Sequence, residues 1–281
     1  MLLGTAVALI SCGSILVRIA NAPALATAFY RIGLAALFVA PFSFHALKAA
    51  WPGLDSRTRA ALFAAGTCLA LHFATWIASL SYTTVAASVL LVNTAPLFSI
   101  AFSRFFLREP LSASVAAATA LGLGGAGLIA YGDFRGDLGS LKGAALAVAG
   151  AATLAGYHVA GRALRAAIPL GAYLLGAWAT SAAVLGLLAA AAGTPLHAFP
   201  VRTWAAFLGL AIVPTLLGHG LVNLSLRSLP APTIGLFLLG EPLSAAALAA
   251  IFLGEIPGDW TFAGGALVLV ALTLVVLGER A

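Results

Sequence analysis

Apolar stretches of roughly 20 residues, each closed by a proline or a short polar break, recur along the chain, and that length crosses a hydrocarbon core as a helix. They fall at 2–19, 24–44, 60–80, 84–106, 112–131, 141–161, 170–192, 203–222, 228–253 and 260–278. The connections between them are short, and the longest polar one, 45–59, is too small to be a domain. The pattern predicts an all-α integral membrane protein with ten transmembrane helices. The first stretch imitates a signal peptide, with Ala20-Asn21-Ala22 in place of a cleavage site. It lacks a basic leading region, however, and is read as a span.

Composition supports the same class. Only 8% of the residues are charged and 62% are hydrophobic, whereas a soluble domain carries about 25% charged residues to cover its wet surface. A mean hydropathy of +1.09 over the whole chain requires many spans, not one anchor on a soluble domain. Cys12 and Cys68 both lie in apolar runs, so no disulfide framework is expected. The net charge of +6 marks cytoplasmic loops here and does not point to nucleic acid. With the N-terminus inside, the inner loops hold Lys48, Arg57, Arg59, Arg104, Arg108, Arg162, Arg165, Arg227 and Arg280. The outer loops hold only Arg18, Arg135, Lys142 and Arg202. This asymmetry predicts cytoplasmic termini in a multi-pass protein of the inner membrane.

The chain also resembles itself. At an offset of 146 residues, Pro23 falls on Pro169, Pro96 on Pro242 and Glu109 on Glu255. Around them Leu97 meets Leu243, Phe106 meets Phe252 and Leu107 meets Leu253. In so Ala- and Leu-rich a chain only the Pro and Glu matches carry weight, and three at one offset are not expected by accident. The expected division is 1–135 and 136–281, two five-helix repeats in one membrane domain. An odd number of spans per repeat makes the second enter from the opposite side. Inverted repeats of this kind serve alternating access to a midplane site.

Several landmarks resemble the EamA branch of the drug/metabolite transporter superfamily. Gly13-Ser14 is followed by Arg18, Pro23 and Arg31, with Cys12 where that family commonly has an aromatic. Tyr82-Thr83, Pro96 and Leu107-Arg108-Glu109 follow, with Arg108 in place of the family's glycine. The second half matches better, through Asn223, Pro230, Glu241-Pro242 and Leu253-Gly254-Glu255. The resemblance covers essentially the whole chain. It implies ten helices and an export role for amino acids or related metabolites, without naming the cargo.

Ionisable groups deep in a span are costly and are functional candidates by default. Arg31 suits bidentate binding of a substrate carboxylate, or alternatively a structural pair with Glu241. Glu241 precedes Pro242, where regular helix is disfavoured, and can bind a proton, pair with a substrate ammonium or neutralise Arg31. His72, His158 and His219 sit singly on separate spans, so no metal site is expected. They serve either as interhelical hydrogen-bonding groups or as walls of a substrate site. His72 shares a face with Trp76, His219 shares one with Asn223, and Asn93 lies within a turn of Pro96. Tyr30, Trp76, Tyr82, Tyr157 and Trp178 are aromatic candidates for a pocket, while Trp51, Trp204 and Trp260 fit interfacial anchors. Pro96 and Pro242 are expected helix breaks. Glu109 and Glu255 are read as structural caps of neighbouring helices, and the glycines Gly122, Gly124, Gly125, Gly127, Gly264 and Gly265 as packing positions within the bundle or at a dimer seam.

The leading function is therefore a secondary transporter exporting a small metabolite, with substrate-binding residues Arg31, His72, Trp76, Asn93, Tyr157, His158, Trp178, His219, Asn223 and Glu241. No G-x-x-x-x-G-K-[ST] run is present, so this chain does not itself hydrolyse ATP as the driver. Proton exchange and facilitated diffusion both stay open. The expected partners are the bilayer, a small-molecule substrate and a coupling proton, with no cofactor, no nucleic acid, and either a monomer or a homodimer. A lipid or drug-like solute flippase is the alternative. An intramembrane enzyme would need a cluster of His, Asp or Glu that the sequence does not suggest.

Overall fold

A computed structural model of the chain describes residues 2–102, 105, 113–133, 138–164, 168–225, 238 and 240–278. Among the described residues the secondary structure is helical, with no strand. The helices are α1 (Leu2–Ala20), α2 (Ala24–Ala50), α3 (Ser56–Ser79), α4 (Val85–Val92), α5 (Ala95–Phe102), α6 (Ala113–Asp133), α7 (Leu138–Leu164), α8 (Leu170–Ala191), α9 (Val201–Leu210), α10 (Gly220–Ser225), α11 (Gly240–Leu253) and α12 (Asp259–Gly278). A π-helical segment, Ala211–His219, joins α9 to α10 without a break. Seven helical segments are long and apolar enough to cross a membrane, and three shorter apolar ones accompany them. The protein is an all-α, multi-pass membrane protein. Glu109 and Pro230, and the first part of the expected 228–253 span, lie outside the described residues.

Local chemistry sets the helix starts. Pro23 and Pro169 precede α2 and α8 with nearly the same backbone angles, φ −53°, ψ 140° and φ −56°, ψ 144°. A proline there loses nothing, because the first amides of a helix have no intrahelical partner. Each proline carbonyl accepts from the amide four residues on, Thr27 and Tyr173, both at 2.9 Å. Asp55 caps α3 by accepting from the Thr58 amide at 2.7 Å. The Thr58 side chain, then that amide bond, and then the nearby Arg57 and Arg59 hold the exposed Asp55 carboxyl below its ordinary value.

Two expected spans are not continuous α-helices. The 84–106 span breaks at Asn93–Thr94, so α4 ends one turn before Pro96 and α5 starts with Pro96 as its second residue. Pro242 is the third residue of α11. In the 203–222 span Pro214 has no amide to give the Leu210 carbonyl, and the helix widens to π geometry there.

Interhelical packing is close. Helix α2 lies on α8, α6 on α12, and α4 on α11. Helix α3 packs against α7 and α8, and α1 against α9, the π segment and α11. Helices α4 and α5 pack on α7, and α2 also meets α9 and the π segment. The α6–α12 seam is built on glycine. A Cβ at Gly125 would stand 2.7 Å from the Gly264 carbonyl oxygen, and one at Gly264 would stand 2.6 Å from that of Gly125. Gly122 and Gly265 likewise abut Leu97 and Leu90, whereas Gly124 and Gly127 face nothing within 4 Å. Four of the six glycines therefore serve packing inside the bundle.

One end of the bundle carries a polar knot. Glu255, beyond α11, accepts from the Val85 amide at 2.8 Å and pairs with Arg18 at 3.0 Å. The same Arg18 nitrogen donates to the Thr83 carbonyl at 3.0 Å. Glu255 thus caps α4, a helix of the other half of the chain, and not the α12 helix that follows it.

Candidate functional site

The centre of the bundle is apolar, with α1, α2, α3, α4, α7, α8 and α11 all contributing to one buried cluster. Arg31 enters it from α2 and is only 2% exposed. Its Nε donates to Thr215 Oγ1 at 3.1 Å. Its Cζ sits 4.5 Å from the Phe73 ring centroid and 5.4 Å from that of Trp76. Cation–π contacts contribute about 2 kcal/mol when desolvated, much less than a buried cation loses with its hydration. Nη1 is buried and has no hydrogen-bond partner.

The anchor for this arginine comes from the π segment. The Leu210 carbonyl, which receives no amide from Pro214, accepts from Thr215 Oγ1 at 2.8 Å. Having donated its proton, the same hydroxyl accepts from Arg31. One threonine thus repairs the helix and orients the guanidinium. Thr215, Pro214 and Phe73 were not singled out in the sequence. The signal that could have found them is a proline inside an apolar run.

Helix α3 supplies the opposing wall. His72 Nδ1 lies 3.0 Å from the Gly150 carbonyl, and since a carbonyl only accepts, Nδ1 carries the proton. The imidazole stacks on Trp76 with centroids 5.9 Å apart and planes 3° from parallel. Trp76 is itself buried, and its Nε1 has no hydrogen-bond partner.

Glu241 approaches from α11. Its carboxyl lies near the Asn93 side chain and interacts electrostatically with Arg31. Asn93 also donates to the Val89 carbonyl at 2.9 Å, which holds it at the α4 break. Among the described residues the ion pair is Arg18–Glu255, so Arg31 and Glu241 face each other without direct contact. Arg31 and His158 both act electrostatically on His72 and His219. His158, on α7, is exposed, and His219 ends the π segment half-buried.

Tyr157 and Trp178 form a separate aromatic group. The Tyr157 and Tyr173 rings stack 5.9 Å apart, and Trp178 lies near the Tyr157 hydroxyl. The structure brings Arg31, Trp76 and His72 into direct contact, with Glu241, His219 and the exposed His158 within electrostatic range and Tyr157 in a separate aromatic group. The Asn223 side chain lies outside the described residues. Tyr30 and Tyr82 lie elsewhere. Tyr30 stacks in a cluster with Phe199, Trp204 and Phe207 and donates to the Leu196 carbonyl. Tyr82 is exposed beside Lys142. Among the described residues no three His, Cys, Asp or Glu side chains converge as metal ligands.

The chain is similar to a "Probable terminal-alkyne amino-acid exporter" of Streptantibioticus cattleyicolor, with 30% identity over 206 residues. That match takes in 68% of this chain and spans only 65% of the relative's length. A solved crystal structure superposes with a TM-score of 0.66, covering 99% of this chain and 96% of the other at 22% identity, a likeness of fold alone. The model of the EamA-like transporter family matches twice, over residues 1–131 and 141–277. Those two matches take in nearly the whole chain, which belongs to the EamA-like transporter family.

Proposed function

We propose that this transporter exports small metabolites, amino acids first among them, across the inner membrane by alternating access, with both termini cytoplasmic. The observation that carries the reading is Arg31, a cation buried at the centre of a lipid-embedded bundle with one nitrogen unpartnered and a carboxylate nearby but not in contact. Buried polar groups are nearly always paired, so an open donor at the centre of the bundle suits an acceptor carried by the cargo. An amino acid brings the complementary charges, its carboxylate for Arg31 and its ammonium for Glu241. The relative, named a probable terminal-alkyne amino-acid exporter, supports the same cargo class.

Two inverted halves are supported by the double family match and by the helix pairing. If α1 exchanges with α7, α2 with α8, α3 with the α9–π segment, α4–α5 with α11 and α6 with α12, the most extensive contacts map onto one another. The contact of α1 with α9 and the π segment becomes that of α7 with α3, and α1 on α11 becomes α7 on α4–α5. The matching prolines before α2 and α8 have the same geometry. Such pseudo-symmetry suits a central site that opens to each side in turn.

Glu241, beside Pro242 and within reach of Arg31, is the coupling group in this reading. The test is uptake of labelled amino acids into proteoliposomes, scanned across side-chain classes with and without a pH gradient. Saturable flux, competed by one class and driven by the gradient, is expected, with the gradient response lost in Glu241→Gln. No saturable flux for any amino acid would overturn the cargo class. A gradient response that survives in Glu241→Gln would remove the carboxylate from coupling.

A further inference from the structure

Two buried donors at the centre lack partners, Arg31 Nη1 on α2 and Trp76 Nε1 on α3. Their side chains touch, the guanidinium lying over the indole at 5.4 Å from its centroid. Neither group can satisfy the other, because guanidinium and indole nitrogens only donate. What both lack is an acceptor. Leaving a buried donor unpaired costs about 1–3 kcal/mol, so two adjacent ones mark a place where an acceptor belongs.

Both donors are also held. Thr215 fixes Arg31 through Nε, and Phe73 flanks the guanidinium at 4.5 Å. Trp76 is clamped by the parallel imidazole of His72, itself tied to the Gly150 carbonyl. Donors fixed in advance cost little to order when a ligand arrives. On the third side, α1 offers Gly13, where a Cβ would stand 3.5 Å from Arg31 Nη1 and 3.7 Å from the Pro214 Cβ. A side chain longer than that of alanine at this position would crowd that nitrogen.

We propose that Arg31 Nη1 and Trp76 Nε1 form a two-donor seat for a single carboxylate of the cargo, with Gly13 leaving room beside it. The proposal rests on the reading that cargo binds at this centre, and it deepens that reading by naming the recognised group. A carboxylate offers two oxygens to two donors and one negative charge to one cation. The seat holds a single arginine whose charge is already opposed by Glu241, so it suits a monocarboxylate with an ammonium group rather than a dianion such as a phosphate monoester. Trp76 is then a specificity residue through its N–H, beyond its ring.

The test measures binding of L-norvaline and L-phenylalanine, and of the carboxamide of each, to the purified protein in detergent. Wild type is expected to bind each acid more tightly than its amide. Trp76→Phe keeps an aromatic ring against Arg31 and His72 but removes the donor, so affinity for the acids should fall roughly 5- to 30-fold and the acid-to-amide ratio should shrink. Its thermal stability should change little, because the lost N–H has no partner in the fold. Gly13→Ala, which fits at ordinary van der Waals distance, should weaken both acids while leaving the fold intact. An unchanged acid-to-amide ratio in Trp76→Phe, with wild type still preferring the acid, would overturn the seat and leave the amino-acid reading standing. Absence of binding of all four probes by wild type would overturn both, as would tighter binding of phosphoserine than of norvaline for the monocarboxylate preference.

Discussion

Replacing Glu255 should destabilise the protein through helix α4 rather than through the helix that follows Glu255. Helix α4 has only eight residues, so its free amides are a large part of its hydrogen bonding. Glu255 takes the Val85 amide, and the Thr84 side chain takes the Ala87 amide at 3.2 Å. Loss of a side-chain cap costs about 0.5–2 kcal/mol. The pair with Arg18 adds less, since the two side chains are 31% and 24% exposed, and such pairs contribute roughly 0.2–1 kcal/mol. Glu255→Ala should therefore lose about 1–3 kcal/mol, the sum of the two effects. Glu255→Gln should lose less, because an amide oxygen still accepts from Val85 while the charge opposite Arg18 and at the positive helix end is gone. Thermal unfolding of the purified protein in detergent reads both, and a cycle with Arg18→Met isolates the pair. The ion-pair part should shrink at high salt and the capping part should not. Equal unfolding temperatures for Glu255→Ala and wild type would refute the capping argument. Additive effects of Arg18→Met and Glu255→Gln would refute the pair.

Thr215→Val keeps the side-chain shape but removes the hydroxyl from the Leu210 carbonyl and leaves Arg31 Nε without a partner, at a cost of about 1–3 kcal/mol for a buried unsatisfied group. Thr215→Ser should stay near wild type in thermal unfolding, and equal behaviour of Val and Ser would refute the double role of the hydroxyl. Asp55 gives a pH dependence with a definite sign. Its carboxyl is held below its ordinary value in the folded protein, so its contribution is present above about pH 4, near the unfolded value. It is lost as pH falls through the lower folded value. Unfolding of wild type should therefore become easier in acid more steeply than that of Asp55→Ser, whose cap does not titrate, and parallel pH profiles would refute the assignment.

Much of this architecture was legible in the chain because a bilayer allows so few solutions. Backbone groups in lipid must pair within their own segment, so runs of apolar residues could only be read as helices. The prolines at 23 and 169 marked helix starts, since a residue without an amide costs nothing there, and their equal offset pointed to the repeat. The azimuth of each helix was less accessible. Hydropathy along spans that are apolar all round says little about which face meets which neighbour. Tyr30 and Arg31 adjoin in sequence, yet the first joins an aromatic cluster with Trp204 and Phe207 while the second enters the centre. The natural partner for Arg31 on charge alone was Glu241, and the structure gives it Thr215. That choice depends on Pro214, which frees a carbonyl, widens the helix and turns a hydroxyl toward α2. A local defect in one span thus positions the charged group of another. The same defect gives Arg31 a neutral hydroxyl partner, and under the proposed function that leaves its guanidinium and the Glu241 carboxyl to meet the two ends of a zwitterion.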